Sequence, residues 1–273
     1  MSRRSRAVAW YVLLTALSLV VLFPVYMTLV VAISTPVDYL RAGQPLHPVA
    51  PQWGVFANAW TEGDLGRKFA LSAVVTAVIV GCQLATSVCA AYAFAFLRFP
   101  GRRVLFAVFT ATLLLPLEVT LLPNIDTVLR LGWLNSVQGL AVPFLATAFG
   151  TFLIRQGFLG IPRDLRDAAR LDGLSHLQVL WRVAIPLTRP VIASFGVVAF
   201  LSAWNQYTWP RAVITEERWE TVQIGLKSLS AATVEQGNVG PAAAVIAALP
   251  VLALLIVLQK QLIRGLTAGA VKG

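Results

Sequence analysis

Ile161-Pro162-Arg163-Asp164-Leu165-Arg166-Asp167-Ala168-Ala169-Arg170-Leu171-Asp172-Gly173-Leu174-Ser175-His176-Leu177-Gln178-Val179-Leu180-Trp181-Arg182-Val183-Ala184-Ile185-Pro186-Leu187 is the stretch that decides how the chain is read. It encodes two short helices with a hinge between them. Pro162 suits the first turn of a helix, where its missing N–H costs nothing. Asp164 and Asp167 fall early in that helix, where the helix dipole favours negative charge. Gly173 is placed to end it in a left-handed conformation. Ser175 and Gln178 have the spacing of a capping box that opens a second helix. Leu177, Leu180 and Trp181 then form an i, i+3, i+4 apolar stripe, and Pro186 is expected to stop that helix. A connection of roughly 30 residues with helices of its own is long, and such a loop is suited to docking on a partner.

Outward from this loop the chain is strongly apolar. Of 273 residues, 58% are hydrophobic and 12% charged, where a soluble domain carries about a quarter charged. The missing charge points to lipid as the solvent. A helix needs about 20 mainly apolar residues to span the hydrocarbon. Six stretches approach or exceed that: 7–33, 69–97, 104–125, 137–154, 191–209 and 242–258. Each is expected to be helical, because an open strand leaves its backbone unsatisfied in lipid. The prolines within them (Pro24, Pro116, Pro123, Pro143 and Pro250) predict kinks or broken turns. The first run exceeds the apolar core of about 7–15 residues found in a secretory signal, so it is read as a retained first helix.

The net charge is +10. In a soluble protein this would suggest nucleic acid. Here the basic residues sit at the ends of apolar runs, which argues for a bilayer and against nucleic acid. With the N-terminus inside, the inside segments hold 15 Lys and Arg and the outside segments 7. That bias places both termini in the cytoplasm. The outside segments 34–68 and 211–241 are long enough to face a soluble partner or to be ordinary solvated loops. Cys82 and Cys89 share one helical face with no metal or redox motif, and read as packing residues.

The loop resembles the EAA loop of ABC importer permeases. Asp167-Ala168-Ala169 is followed by Gly173, and Val183-Ala184-Ile185-Pro186 closes the pattern at the family spacing. Asp167, Val183 and Ile185 depart from the usual Glu, Ile and Leu, keeping charge or shape. The shorter Asp167 bears on whether the carboxylate touches the ATPase directly. Ala91-Tyr92-Ala93-Phe94, Trp204-Asn205-Gln206-Tyr207 and the ending 265–273 look like the carbohydrate-uptake branch. Within it, the chain resembles the second permease of maltose and sn-glycerol-3-phosphate importers, and Leu115-Pro116-Leu117-Glu118-Val119 and Trp204 through Pro210 look more like the glycerol-3-phosphate type.

The resemblance implies an all-α membrane protein of type I importer permease fold, one transmembrane domain over 1–273, in a bacterial cytoplasmic membrane. It implies a second permease, two cytoplasmic ATPase subunits and an extracytoplasmic substrate-binding protein as partners. The loop 161–189 would couple to the ATPase through Asp167, Ala168, Ala169, Asp172, Gly173 and Pro186, and Thr267, Gly269 and Lys272 of the tail would reach between the ATPase subunits. The chain has no G-x-x-x-x-G-K-[ST] phosphate loop and no Gly-Lys pair. ATP and Mg are therefore expected on the partner, with no cofactor, metal or catalysis in this chain.

Two groups are candidates for the pathway. Glu118 is the one carboxylate well inside an expected span, two residues after Pro116, and an intramembrane ionisable group is a functional candidate by default; the other reading pairs it with a neighbouring helix or subunit. Trp204, Asn205, Gln206 and Tyr207, with Trp209, combine aromatic faces with amides, which suits a sugar, an oligosaccharide or a glycerol-phosphate-like solute. They also suit an aromatic belt at the outer interface. An ion-coupled secondary transporter would show intramembrane charge pairs and an inverted repeat. A membrane enzyme would need a catalytic constellation near one face, whereas His47 and His176, the two histidines, fall on opposite sides.

Overall fold

Long apolar runs with few helix breakers give long helices, and runs interrupted by proline give pairs of shorter ones. The computed structural model describes residues 3–229 and 234–268, and no strand occurs among them. The helices are α1 (Arg3–Ile33), α2 (Pro36–Arg41), α3 (Val55–Glu62), α4 (Leu65–Phe96), α5 (Arg102–Ala111), α6 (Leu117–Arg130), α7 (Val137–Ala141), α8 (Ala148–Leu159), α9 (Arg163–Leu171), α10 (His176–Val179), α11 (Ile185–Leu187), α12 (Arg189–Trp204), α13 (Thr208–Val213), α14 (Val222–Leu229) and α15 (Val239–Ala268). Three are long and apolar enough to cross a membrane: α1 over Ala7–Ile33, α4, and α15 over Val239–Gln261. Three bent pairs pass the same test together.

The expected spans one and two are single helices, and Pro24 stays inside α1. Span three is not one helix over 104–125. It breaks between Arg102–Leu114 and Glu118–Arg130 with a bend of 100°. Pro116 starts the second piece, because its fixed φ suits a helix entry and the residue before it is driven out of the helical region; Leu115 is extended, with ψ 113. Span four bends by 45° between Val137–Phe144 and Ala148–Leu159, with Pro143 in a 3-10 turn. Gln83 Nε2 and Thr86 Oγ1 of α4 donate to the carbonyls of Phe144 (2.8 Å) and Leu145 (3.1 Å), satisfying backbone that the break frees. Span five ends at Trp204 instead of 209, and α13 is a separate turn. The sixth apolar helix runs on beyond 258 to Ala268, Pro250 included.

The chain packs as two compact units. One comprises Met1–Phe69 and Ile224–Leu249. Fully buried Ser34 ends α1 there: its Oγ donates to Val30 O (2.6 Å) and accepts from Val49 N (3.1 Å). Asn238 Nδ2 donates to Ser34 O (3.1 Å), tying the start of α15 to that turn.

The other unit comprises Ala70–Gln223 and Pro250–Gly273. Its core joins Val88, Ala91 and Tyr92 of α4, Ile154 and Phe158 of α8, and Phe195 and Ala199 of α12. Gly150 lets α8 come close, since a Cβ there would collide with the Phe195 ring and with Ser87 Oγ. Arg155 Nε donates to Phe94 O (3.2 Å), and its guanidinium lies 4.1 Å from the Phe106 ring centroid. A cation is thereby accommodated among aromatic faces.

Candidate functional site

The loop 161–189 belongs to the second unit, and its backbone follows the spacing of its residues closely. α9 opens directly after Pro162. Gly173 has φ +74°, the left-handed conformation that a Cβ disfavours. Leu174 N–H reaches back to Ala169 O at 3.1 Å and Asp172 N–H to Ala168 O at 2.9 Å, so the end of α9 closes as a Schellman-type cap. The capping box is complete. Ser175 Oγ accepts from Gln178 N (3.4 Å), and Ser175 N donates to Gln178 Oε1 (2.8 Å).

Pro186 does not stop the second helix. The ladder widens into a π turn over Leu180–Ala184 and continues through α11. A proline lacks the N–H and crowds the carbonyl four residues earlier, and a wider turn relieves both. The chain turns instead at Thr188, where His176–Leu187 and Arg189–Trp204 meet at 81°. Buried Thr188 secures the corner by donating through Oγ1 (2.7 Å) and N (3.1 Å) to Ala184 O.

The apolar stripe divides between two faces. Leu180 is buried, with Val179, Ala184, Ala169 and Ile161, in the core that α4, α8 and α12 share. Leu177 and Trp181 point away from it and are 69% and 67% exposed. Leu171, at the end of α9, is 89% exposed. Asp167, Ala168, Asp172 and Gly173 are exposed as well. The loop thus seats part of its surface on the helices and leaves large apolar side chains, Leu171, Leu177 and Trp181 most of all, and the carboxylates of Asp164, Asp167 and Asp172 exposed.

Tyr92 and His176 are contacts that the one-dimensional pattern does not reveal. Tyr92 OH lies 3.2 Å from His176 Nδ1, and the Arg166 guanidinium stands 4.9 Å from the Phe96 ring centroid. The Tyr92–Phe96 pair at helical i, i+4 spacing was the available signal, but nothing in sequence order joins it to a residue 84 positions later.

The pathway candidates lie in helix breaks. Glu118 is in the first turn of α6, exposed, next to the break at Pro116. Trp204 is buried and stacked on Phe200, with ring centroids 5.8 Å apart. Asn205 caps α12 by donating to Leu201 O (2.9 Å) and accepts from Gln223 Nε2 (3.3 Å). Gln206 and Tyr207 complete the gap before α13; Gln206 is half-buried and Tyr207 exposed. Trp209 is enclosed by the protein. It is 1% exposed, donates to Gly139 O at 3.1 Å and meets Phe144 edge-on. Among the tail residues, Thr267 falls in the last turn of α15, and Gly269 and Lys272 lie outside the described residues.

Residues 83–267 match the family described as binding-protein-dependent transport system inner membrane component. The sn-glycerol-3-phosphate transport system permease protein UgpE of Pectobacterium atrosepticum is 32% identical over 273 residues, covering 97% of each chain. The protein of the same name from Rhizobium meliloti is 32% identical over 258 residues, 91% of each. Among solved structures, a chain of a bacterial ABC transporter involved in the import of the acidic polysaccharide alginate superposes with a TM-score of 0.82 at 26% identity, covering 95% of this chain and 98% of that one. A second alginate ABC transporter structure, with an alginate pentasaccharide-bound periplasmic protein, shares the fold at a TM-score of 0.64 and 12% identity, over 93% and 94%. The loop pattern, the broken spans and the full-length similarity agree: the chain belongs to the binding-protein-dependent transport system inner membrane components, and is a non-catalytic ABC importer permease subunit, not an ion-coupled secondary transporter.

Proposed function

We propose that this chain is a single permease domain that pairs with a second permease to form the pathway of an ATP-driven importer in a bacterial cytoplasmic membrane. Six crossings, counting each bent pair as one, put both termini in the cytoplasm and accord with the 15-to-7 distribution of Lys and Arg. An extracytoplasmic binding protein delivers the solute, and two ATPase subunits carry ATP and Mg; this chain binds neither.

The observation that carries the reading is the outer face of the loop. Leu171, Leu177 and Trp181 are exposed apolar side chains, and Asp167, Ala168 and Asp172 are exposed too, on a helix pair whose Ala169, Val179, Leu180 and Ala184 are buried in the core. An exposed apolar patch with charges at its edge fits a groove on a soluble partner. Closure of the ATPase pair would then move the loop as a rigid lever, with Gly173 and Pro186 setting its shape. Thr267, Gly269 and Lys272 are assigned to the tail that reaches toward the ATPases.

The solute is assigned to sn-glycerol-3-phosphate, a sugar or an oligosaccharide, supported by the names of the relatives. Glu118, Trp204, Asn205, Gln206 and Tyr207 are the proposed pathway residues. Breaks in membrane helices free backbone groups that meet solutes.

Reconstitution in proteoliposomes with the second permease, ATPase and binding protein tests this reading. Ala168→Asp and Gly173→Pro are expected to leave the spans folded while solute uptake and stimulated ATP hydrolysis fall to background. Normal uptake by assembled variants overturns the coupling assignment. Competition between labelled glycerol-3-phosphate and neutral sugars for uptake decides the solute class.

A further inference from the structure

The lever needs a firm joint where it meets the spans, and that joint is built from side chains outside the loop's family pattern. We propose that Tyr92 and His176 are positioning residues that form a strut between the loop and the end of α4, so that movement of the loop is delivered to α4. The inference rests on the coupling role proposed for the loop and adds the route by which displacement leaves it.

Four observations place the strut. Tyr92 is 6% exposed and lies one turn before the end of α4, while His176 opens α10 on the exposed side of the loop. Their polar atoms are 3.2 Å apart and their rings meet nearly edge-on, at 76°. Tyr92 is held sideways by Phe96 (5.2 Å, 79°) and Phe158 (6.3 Å, 82°), so its hydroxyl has little freedom to follow a displaced partner. Arg166 of α9 reaches the same end of α4 and lies over Phe96, which itself stacks on Phe158 at 5.8 Å.

Both halves of the lever therefore reach α4 through a charged or polar side chain: α9 through Arg166, over the Phe96 ring, and α10 through His176, at the Tyr92 hydroxyl. The remaining seats, Ala169, Leu174, Val179 and Leu180, are apolar. Apolar contacts hold the loop against the spans but resist sliding weakly, since dispersion has little directional preference. A hydrogen bond falls off with small changes in distance and angle. The Tyr92–His176 bond therefore fixes the register of the lever along α4, and its site lies just behind Gly173 and the capping box, where a push on the exposed face arrives.

The test uses the full complex in proteoliposomes and reads solute imported per ATP hydrolysed. Tyr92→Phe keeps the ring and its aromatic contacts and deletes only the hydroxyl; His176→Ala removes the other partner. Each is expected to lower transport per ATP roughly three- to tenfold, the equilibrium weight of one hydrogen bond, with ATP hydrolysis and complex assembly retained. The double variant should be no worse than the worse single one, as residues acting as a unit are non-additive. His176→Gln, which restores a polar side chain at that position, should recover part of the loss. Transport per ATP that is unchanged in Tyr92→Phe, or losses that add in the double variant, overturn the strut. Ala168→Asp run in parallel separates the two ideas: if it still abolishes coupling while Tyr92→Phe does nothing, the strut fails and the coupling role stands; if it imports normally, the coupling role itself fails.

Discussion

The loop at 161–189 and the gap at 204–208 both interrupt apolar helix, and they are built in opposite ways. In the loop, the backbone is shaped by its own residues: Gly173 supplies the left-handed turn, Ser175 and Gln178 cap each other, and Ala168 and Ala169 accept the closing N–H groups. In the gap, Asn205 caps α12 locally, but the position of α13 is set from a distance, by Trp209 donating to Gly139 and packing on Phe144. The first is shaped by residues within a few positions of one another. The second is held by neighbours some seventy residues away.

The largest expected effect separates the two faces of the lever. Ala169 is 5% exposed within the core, whereas Ala168 beside it is exposed. Ala169→Asp buries a carboxylate without a partner and should cost about 3–5 kcal/mol. Thermal unfolding of the purified complex should show the loss directly. Ala168→Asp should stay within about 0.5 kcal/mol of the parent and lose import all the same. Equal stability losses in the two variants would show that the loop has no free face, and the lever would be a packed structural element.

On the gap side, Trp209→Ala should destabilise by about 3–5 kcal/mol, since it empties a large buried site and leaves the Gly139 carbonyl unpaired. Tyr207→Ala, two residues earlier and exposed, should change stability by less than about 0.5 kcal/mol. If both variants unfold at the same temperature, burial of Trp209 against Gly139 and Phe144 is not what holds the gap.

These contrasts also explain what the sequence conveys. Caps, left-handed glycines and capping boxes work over a few residues, so the helix pair could be read off 161–178 directly. Apolar length predicted α1, α4 and α15 for the same reason. The broken spans were harder. Pro116 and Pro143 announced disruption, but whether a proline kinks a helix or divides it depends on who satisfies the freed carbonyls; at 142–147 the answer is Gln83 and Thr86, some sixty residues away. Trp209 and Trp181 show the same limit. Both are large aromatic residues near helix ends, one buried and one exposed, and only the packing of α7 and α10 distinguishes them.

A smaller effect tests the locally shaped half of the comparison. Ser175→Ala removes the capping oxygen and should cost about 1 kcal/mol. The loss should appear as faster backbone hydrogen exchange confined to the first turn of α10. If exchange instead quickens throughout 161–187, the two helices melt together and the hinge at Gly173 does not separate them.

A small stability change is also expected at Glu118, and it bears on the third interrupted helix. In the first turn of α6 its carboxylate interacts favourably with the helix dipole, an effect of about 0.3–1 kcal/mol. Glu118→Gln should therefore barely move the unfolding temperature. Its side chain is nevertheless exposed beside a 100° break, in a region where freed backbone can meet a solute. A pathway role predicts that Glu118→Gln changes the KM or rate of uptake several times more than Glu118→Asp, which keeps the charge. A helix-end role predicts parental uptake in both. The two roles share the same small stability signature, so unfolding alone does not separate them, and transport with the charge-preserving control is the measurement that does.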